Sequence, residues 1–376
     1  MQKSLDQKLA AIHADPSGSR EFIIADAKDA DMAFGIGAAG KSPEAHGSEL
    51  RFRTLAEYRA QIRQIVAQGK IDIMLMSAST NDVLTNQERL FDHSHITPAA
   101  RANDTTDVWV LRGNRYIQEP SLPFRSALLD HIQCGHVGCT PVERGRGTNL
   151  GLYSVTFNNR LDLDKFALEE YAKFREEAEA KGFRHFLEVF DPNAPEGLAA
   201  GDTANFINDA IARTLAGVAY AGRPTFLKVV YHGPKAMEDL VAYDPHLVVG
   251  ILGGGAGTTY DAFKLIAEAQ KYGARVAAER NSKTYCMVIS ARGPNEREMR
   301  AVTSVVPEIK EKYNLQICAC LGLLTDEQAQ ALKDCGVDKV NHNLNTSASH
   351  YENICTTHSY DDRLTTLKAV RKAGME

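Results

Sequence analysis

A chain of 376 residues with 44% apolar and 24% charged residues has the make-up of a globular protein with a sizeable core. Its formal net charge of −5, with no large block of like charge, speaks against a surface that tracks nucleic-acid phosphates. Residues 1–20 lack the apolar core of a signal peptide and no run approaches a membrane span, so a cytoplasmic protein without membrane or nucleic-acid partners is expected.

Short apolar runs rich in Ile, Val, Phe and Tyr recur along the chain with amphipathic segments between them. In order they are "EFIIADA" (21–27), "IDIMLMS" (71–77), "DVWVL" (107–111), "LGLYSVTF" (150–157), "RHFLEVF" (184–190), "TFLKVVY" (225–231), "HLVVGIL" (246–252) and "ARVAA" (274–278). Continuous rather than alternating apolarity suits parallel strands covered on both faces. Helices are read in "TLAEYRAQIRQIVAQGK", "DLDKFALEEYAKFREEAEAKG", "TANFINDAIARTLAGVAYAG" and "GTTYDAFKLIAEAQKYGA", several of them stopped by glycine. Eight strands alternating with helices predict an α/β protein whose residues 1–279 form a (β/α)8 TIM barrel.

Past residue 280 come "KTYCMVIS", "LQICACLGL" and "DKVNHNL", each followed by a helical segment. Three strands close no second barrel, so residues 280–376 read as a partial α/β segment. Cys134 and Cys139 are the only cysteines before this point, while Cys286, Cys318, Cys320, Cys335 and Cys355 follow it. An odd total without a leader predicts reduced thiols.

Several residues carry chemistry. "PTFLKVVYHGP" sets Lys228 inside an apolar strand, where desolvation lowers an amine's pKa and frees it to attack a carbonyl; an ion pair with a neighbouring strand is the alternative. Asp26 at the end of the first strand, Glu188 in the fifth and Tyr153 in the fourth are candidates for proton transfer, since barrel sites assemble at the carboxyl ends of strands. Gly253, Gly254 and Gly255 lie between a strand and a helix, where bare backbone N–H groups suit a phosphate. "LDHIQCGHVGCT" offers His131, Cys134, His136 and Cys139, a spacing tighter than usual zinc sites, so a loop without metal is expected. His93 and His95 read as loop residues. The long stretch 112–149 reads as a lid or a subunit contact, with a homo-oligomer expected, and its Arg112, Arg115, Arg125, Arg144 and Arg146 read as solvated surface, a contact to a substrate phosphate being the alternative.

With "ADAKDADMAFG", "MLMSAS", "GLYSVTFNN", "FLEVFDPN" and "FLKVVYHGP", residues 1 to 277 resemble the class I aldolase superfamily of barrels. The resemblance implies a carbon–carbon lyase that forms a Schiff base on Lys228 with a small, sometimes phosphorylated carbonyl substrate. It assigns an acidic role to Asp26, half of a phosphate site to Gly253–Gly255, and no cofactor. The eighth-strand loop, "AAERNSKTYC", departs from the family's pattern.

"TYCMVISARGPNERE" and the run from "LQICACLG" through "NHNLNTS" to "LKAVRKAG" resemble biotin synthase, a radical S-adenosylmethionine barrel with two iron–sulfur clusters. That resemblance maps Cys286 and Cys318 onto two ligands of the second cluster, and Asn341 and Asn343 onto contacts with dethiobiotin. The C-x3-C-x2-C triplet of the radical-generating cluster does not occur in the sequence, and a further cluster cysteine would follow "RKAGME". The tail therefore reads as an incomplete remnant of a radical enzyme, or a non-catalytic fusion.

Overall fold

Seven parallel strands build a curled sheet over the first part of the chain. In chain order the strands are β1 (Ala25–Lys28), β2 (Ile73–Met76), β3 (Thr97–Arg101), β4 (Asp104–Thr105), β5 (Pro123–Phe124), β6 (Leu150–Thr156), β7 (Arg184–Phe190), β8 (Leu227–Val229) and β9 (Val249–Ile251). The sheet order is β1-β2-β3-β6-β7-β8-β9, while β4 and β5 pair with each other as an antiparallel rung. The computed structural model describes the chain except residues 1, 17, 43–50, 253–277, 279–281, 289–291, 354, 356–357 and 376. The expected eighth strand, 274–278, thus falls outside the described residues but for Ala278, which is helical. Among the described residues the sheet is a half-barrel, and the closure expected from the sequence depends on residues outside them.

The third strand lies elsewhere than "DVWVL". It is "TPAAR", paired with β2 from Ile73↔Thr97 to Met76↔Ala100. Pro98 sits in it because its missing N–H faces β6 below the first rung of that ladder, Ala100↔Gly151. Residues 107–111 instead wrap a small aromatic knot, with Trp109 stacked on Tyr116 at 5.1 Å and tilted against Phe124 at 5.3 Å.

Alternation along each strand separates two faces. Met74, Ala100, Tyr153, Val155, Leu187, Val189, Leu227 and Val229 pack outward on helices such as Leu55–Gln68, Leu161–Ala180 and Thr203–Ala216. The inner face is layered. Ile73, Leu75, Ala99, Leu150, Leu152 and Phe186 floor it, sealed by Leu5 and Leu9 of the helix Ser4–Ala14. That helix is anchored by Lys3, whose Nζ donates to the carbonyls of Phe91, Ser94 and Ile96 at 2.8–2.9 Å. Above the floor lies a polar layer, and above that Phe190, Val230 and Leu252 form an apolar group with Val108.

The chain divides into two compact units, Met1–Ala256 and Gly257–Glu376. In the second, β10 (Thr284–Val288), β11 (Gln316–Cys320) and β12 (Lys339–Val340) form a parallel sheet in that order. Met287, Ile317 and Ala319 face Val302, Val306 and Ile309 of the helix Glu296–Lys312, Leu332 of Asp326–Asp334, and Val370 of Tyr360–Lys372. The opposite face carries Cys286 and Val288, the latter 63% exposed.

Candidate functional site

The polar layer of the first unit is an ion network assembled from five strands and the segment just past β1. Arg101, the last residue of β3, is buried with its Nε 2.5 Å from Asp29 Oδ2. Its other nitrogens reach Asp104 at 3.4 Å, Ser154 Oγ at 3.1 Å and Glu188 at 3.6 Å. Ser154 Oγ also donates to Glu188 Oε2 at 2.6 Å, and Lys228 Nζ lies 2.6 Å from Glu188 Oε1. Asn103 locks Ser154 from both sides, donating to its carbonyl at 2.8 Å and accepting its N–H at 2.6 Å. Burial opposes the charge of Arg101, but Asp29, Glu188 and Asp104 outweigh it and raise its pKa. Burial pushes the Asp104 carboxyl up to about 7, against the pull of Arg101. Lys228, with 20% of its side chain accessible, is the most open member, the others being 8% or less.

Of the residues singled out in the sequence, Lys228 and Glu188 meet as register partners on β8 and β7. Tyr153 stands one residue out of phase with Ser154 and faces the helices, with ring centroids 4.9 Å from Tyr171 and 4.6 Å from Phe174. Burial raises its hydroxyl pKa, and it takes no part in the network. Asp26 is likewise out of phase: it is the register partner of outward-facing Met74 and pairs with Lys28 at 3.3 Å, leaving the inner position to Asp29. Gly253, Gly254 and Gly255 lie outside the described residues.

Arg101, Asp104, Ser154 and the pair His232–Asp191 were not singled out. His232 Nε2 is 2.8 Å from Asp191 Oδ1, just past the ends of β8 and β7. The signal was present in "FLEVFDPN" and "KVVYHGP", where each residue follows an apolar strand; Arg101 had none, because its strand was not recognised.

Cys134 and Cys139 form a disulfide, so the expectation of reduced thiols fails at this pair. His136, between them, contacts Glu143 at 3.1 Å, and among the described residues no group of three metal-binding side chains occurs. Arg125 and Arg144 are committed to Glu177 at 2.8 Å and Asp130 at 3.7 Å. Among the described residues no helix is long and apolar enough to cross a membrane.

In the second unit Cys286 and Cys318 are register partners on β10 and β11, with Cys320 two residues on and on the same face. Burial, and then the neighbouring Cys318 thiol, push Cys286 up to about 12. Asn341 and Asn343 follow β12, exposed; the Asn341 N–H donates to Ala319 at 2.8 Å, and the Asn343 carbonyl accepts from Arg363 at 2.5 Å.

Residues 235–376 match the radical SAM superfamily model. Biotin synthase of Rhodopirellula baltica is 74% identical over 103 residues, 27% of this chain and 29% of that protein. Biotin synthase of Bacillus subtilis is 54% identical over 103 residues, 27% of this chain and 31% of that protein. The chain thus spans about three-tenths of the length of these relatives. The crystal structure of Cgl0159 from Corynebacterium glutamicum aligns over 72% of this chain and 86% of its own at 17% identity, with a TM-score of 0.40.

The C-terminal part of the chain is homologous to biotin synthase. These matches correct the expectation of a Schiff-base aldolase lyase, for which they give no support. They correct the cofactor expectation as well, since radical SAM proteins work with an iron–sulfur cluster and S-adenosylmethionine. The residues present fit that equipment in part. Two adjacent thiols are soft donors suited to iron–sulfur chemistry. The triplet that would hold the radical-generating cluster is missing from these 376 residues.

Proposed function

We propose that the C-terminal unit is a biotin-synthase-type radical SAM segment that contributes two thiolates, from Cys286 and Cys318, to an iron–sulfur cluster. The register pairing of these cysteines on the sheet face opposite the helices carries this reading. In a closed barrel that face is the interior, where a sulfur-donating cluster and an organic substrate meet. Asn341 and Asn343 lie past the carboxyl end of β12, where barrel enzymes bind substrate, and would hydrogen-bond a polar substrate edge. A bound cluster would supply sulfide or electrons; this chain's own part is to hold two of its ligand positions. The remaining donors, and the group that cleaves S-adenosylmethionine, are supplied from outside this pair of positions.

Anaerobic reconstitution of the whole chain with ferrous iron and sulfide tests the reading. Iron and sulfide are expected to be bound and retained through gel filtration. Cys286→Ala and Cys318→Ala are each expected to abolish it. With S-adenosylmethionine and dithionite the chain alone is expected to form no 5′-deoxyadenosine. Iron content unchanged in either variant would overturn the assignment of these ligands.

A further inference from the structure

Cys355 and His358 lie in the second unit, between β12 and the helix Tyr360–Lys372. Cys355 is half-buried, and its N–H donates to the carbonyl of Tyr351, one turn earlier, at 3.0 Å. Its Sγ is 3.4 Å from His358 Nδ1 and 3.7 Å from Nε2. Arg363 fixes which ring nitrogen carries the proton. A guanidinium N–H only donates, and Arg363 Nε lies 3.0 Å from His358 Nε2. The Tyr351 hydroxyl meets the same nitrogen at 2.9 Å and accepts from Arg363 Nε. Nε2 is therefore the acceptor of the ring, and the proton of the neutral imidazole sits on Nδ1, the nitrogen nearer the sulfur. Burial, and then the charge of Arg363, hold His358 below its ordinary pKa and keep the ring neutral.

This arrangement favours a sulfur anion. An N–H beside a thiolate and a guanidinium close by both ease ionisation of the thiol. The hydrogen-bond partners of Arg363 are the Tyr351 hydroxyl, the His358 ring and the Asn343 carbonyl, all neutral, so none of them cancels its charge. Asp362, the carboxylate that acts on His358, accepts the Ser359 N–H at 2.8 Å and lies 3.9 Å from Arg292. Cys335, also half-buried, is placed differently. Its Sγ donates to the Leu332 carbonyl at 3.2 Å, and burial raises its pKa.

We propose that Cys355, held beside His358 and Arg363, is a nucleophilic thiolate and a site of covalent modification by small anionic disulfides. The Cys355 sulfur attacks one sulfur of the disulfide, and the S–S bond breaks. The other sulfur leaves with the bonding pair and takes up the proton that the Cys355 thiol gave to solvent. One disulfide is exchanged for another, so no separate oxidant or reductant enters. Arg363 also donates to the Asn343 carbonyl at 2.5 Å, which ties the modified thiol to the loop carrying Asn341 and Asn343.

The test uses the whole chain, free of iron and reductant, near neutral pH. Each cysteine is followed by peptide mass spectrometry after timed exposure to iodoacetamide, and separately to glutathione disulfide. Cys355 is expected to be alkylated about 5-fold or more faster than Cys335, the gain in thiolate being partly offset by the lower nucleophilicity of a stabilised anion. With glutathione disulfide, Cys355 is expected to carry the mixed disulfide and Cys335 to stay free of it. His358→Asn and His358→Gln are each expected to slow alkylation of Cys355 about 3-fold or more, with the Cys335 rate unchanged as a report of the intact fold. A ring that merely shielded the thiol predicts the opposite, because its removal opens Cys355 to solvent. Equal rates at Cys355 and Cys335 in the wild type, undiminished alkylation of Cys355 in both histidine variants, or alkylation without any mixed disulfide would each overturn the proposal. These readouts need no iron, so failure here leaves the reading of Cys286 and Cys318 untouched, and the reverse holds.

Discussion

Glu188 and Lys228 are register partners on neighbouring parallel strands, and their charged atoms lie 2.6 Å apart. Parallel register places both side chains on one face at one height, so the pairing is a consequence of strand alignment rather than of side-chain search. The same height holds Ser154 on β6, the partner of Glu188 in the β6–β7 ladder. Arg101 closes the layer from β3.

Arg101 is therefore the counter-charge for three carboxylates. Arg101→Met keeps volume and removes the charge, leaving Asp29, Asp104 and Glu188 with Lys228 alone. Breaking a buried pair in this way is expected to destabilise the first unit by about 3–5 kcal/mol. A denaturant midpoint equal to the wild type's would show that the layer contributes no stability.

Asp104 makes the same layer pH-dependent. Its folded pKa of about 7 lies above its ordinary value of 3.8, so the folded chain retains a proton that the unfolded chain has lost between those limits. The stability tied to that proton is fully present below pH 4 and is lost as pH rises through about 7. Comparison of wild type with Asp104→Asn by chemical denaturation across that window is expected to show the wild type losing ground as pH increases. A constant difference between the two would mean that Asp104 does not titrate there.

Gly147 is required by close approach. A Cβ at this position would lie 1.6 Å from the carbonyl oxygen of Gln133, a backbone atom that cannot rotate away. Gly147→Ala is expected to cost about 3 kcal/mol, the upper part of the range for overpacking, and to lower the melting temperature of the first unit. Gly113→Ala, which meets no atom within 4 Å but has φ +81°, separates backbone strain from this clash.

The sequence states some of this and conceals the rest for a physical reason. "RHFLEVF" matches β7 residue for residue, because a long apolar run beside a helical repeat has one reading. β3 escaped because its residues are small and include a proline, while the apolar "DVWVL" serves a loop's own aromatic cluster. At the site, Lys228 and Glu188 were legible as charges inside apolar strands. The network takes Ser154, one residue after Tyr153, and Asp29, three residues after Asp26. In a sheet covered on both faces the two phases of alternation look alike, and only the register tells them apart. The thiol pair of the second unit was legible from its motifs, whereas the disulfide Cys134–Cys139 depends on a tight loop within the chain's middle.

The floor of the half-barrel has a bearing on how the chain is made. Leu5 and Leu9 lie in one cluster with Phe226 and Val248, so the helix Ser4–Ala14 finds its last neighbours only after more than 200 further residues have been synthesised. At about 5–20 residues per second that is a wait of some 12–50 seconds with two leucines exposed.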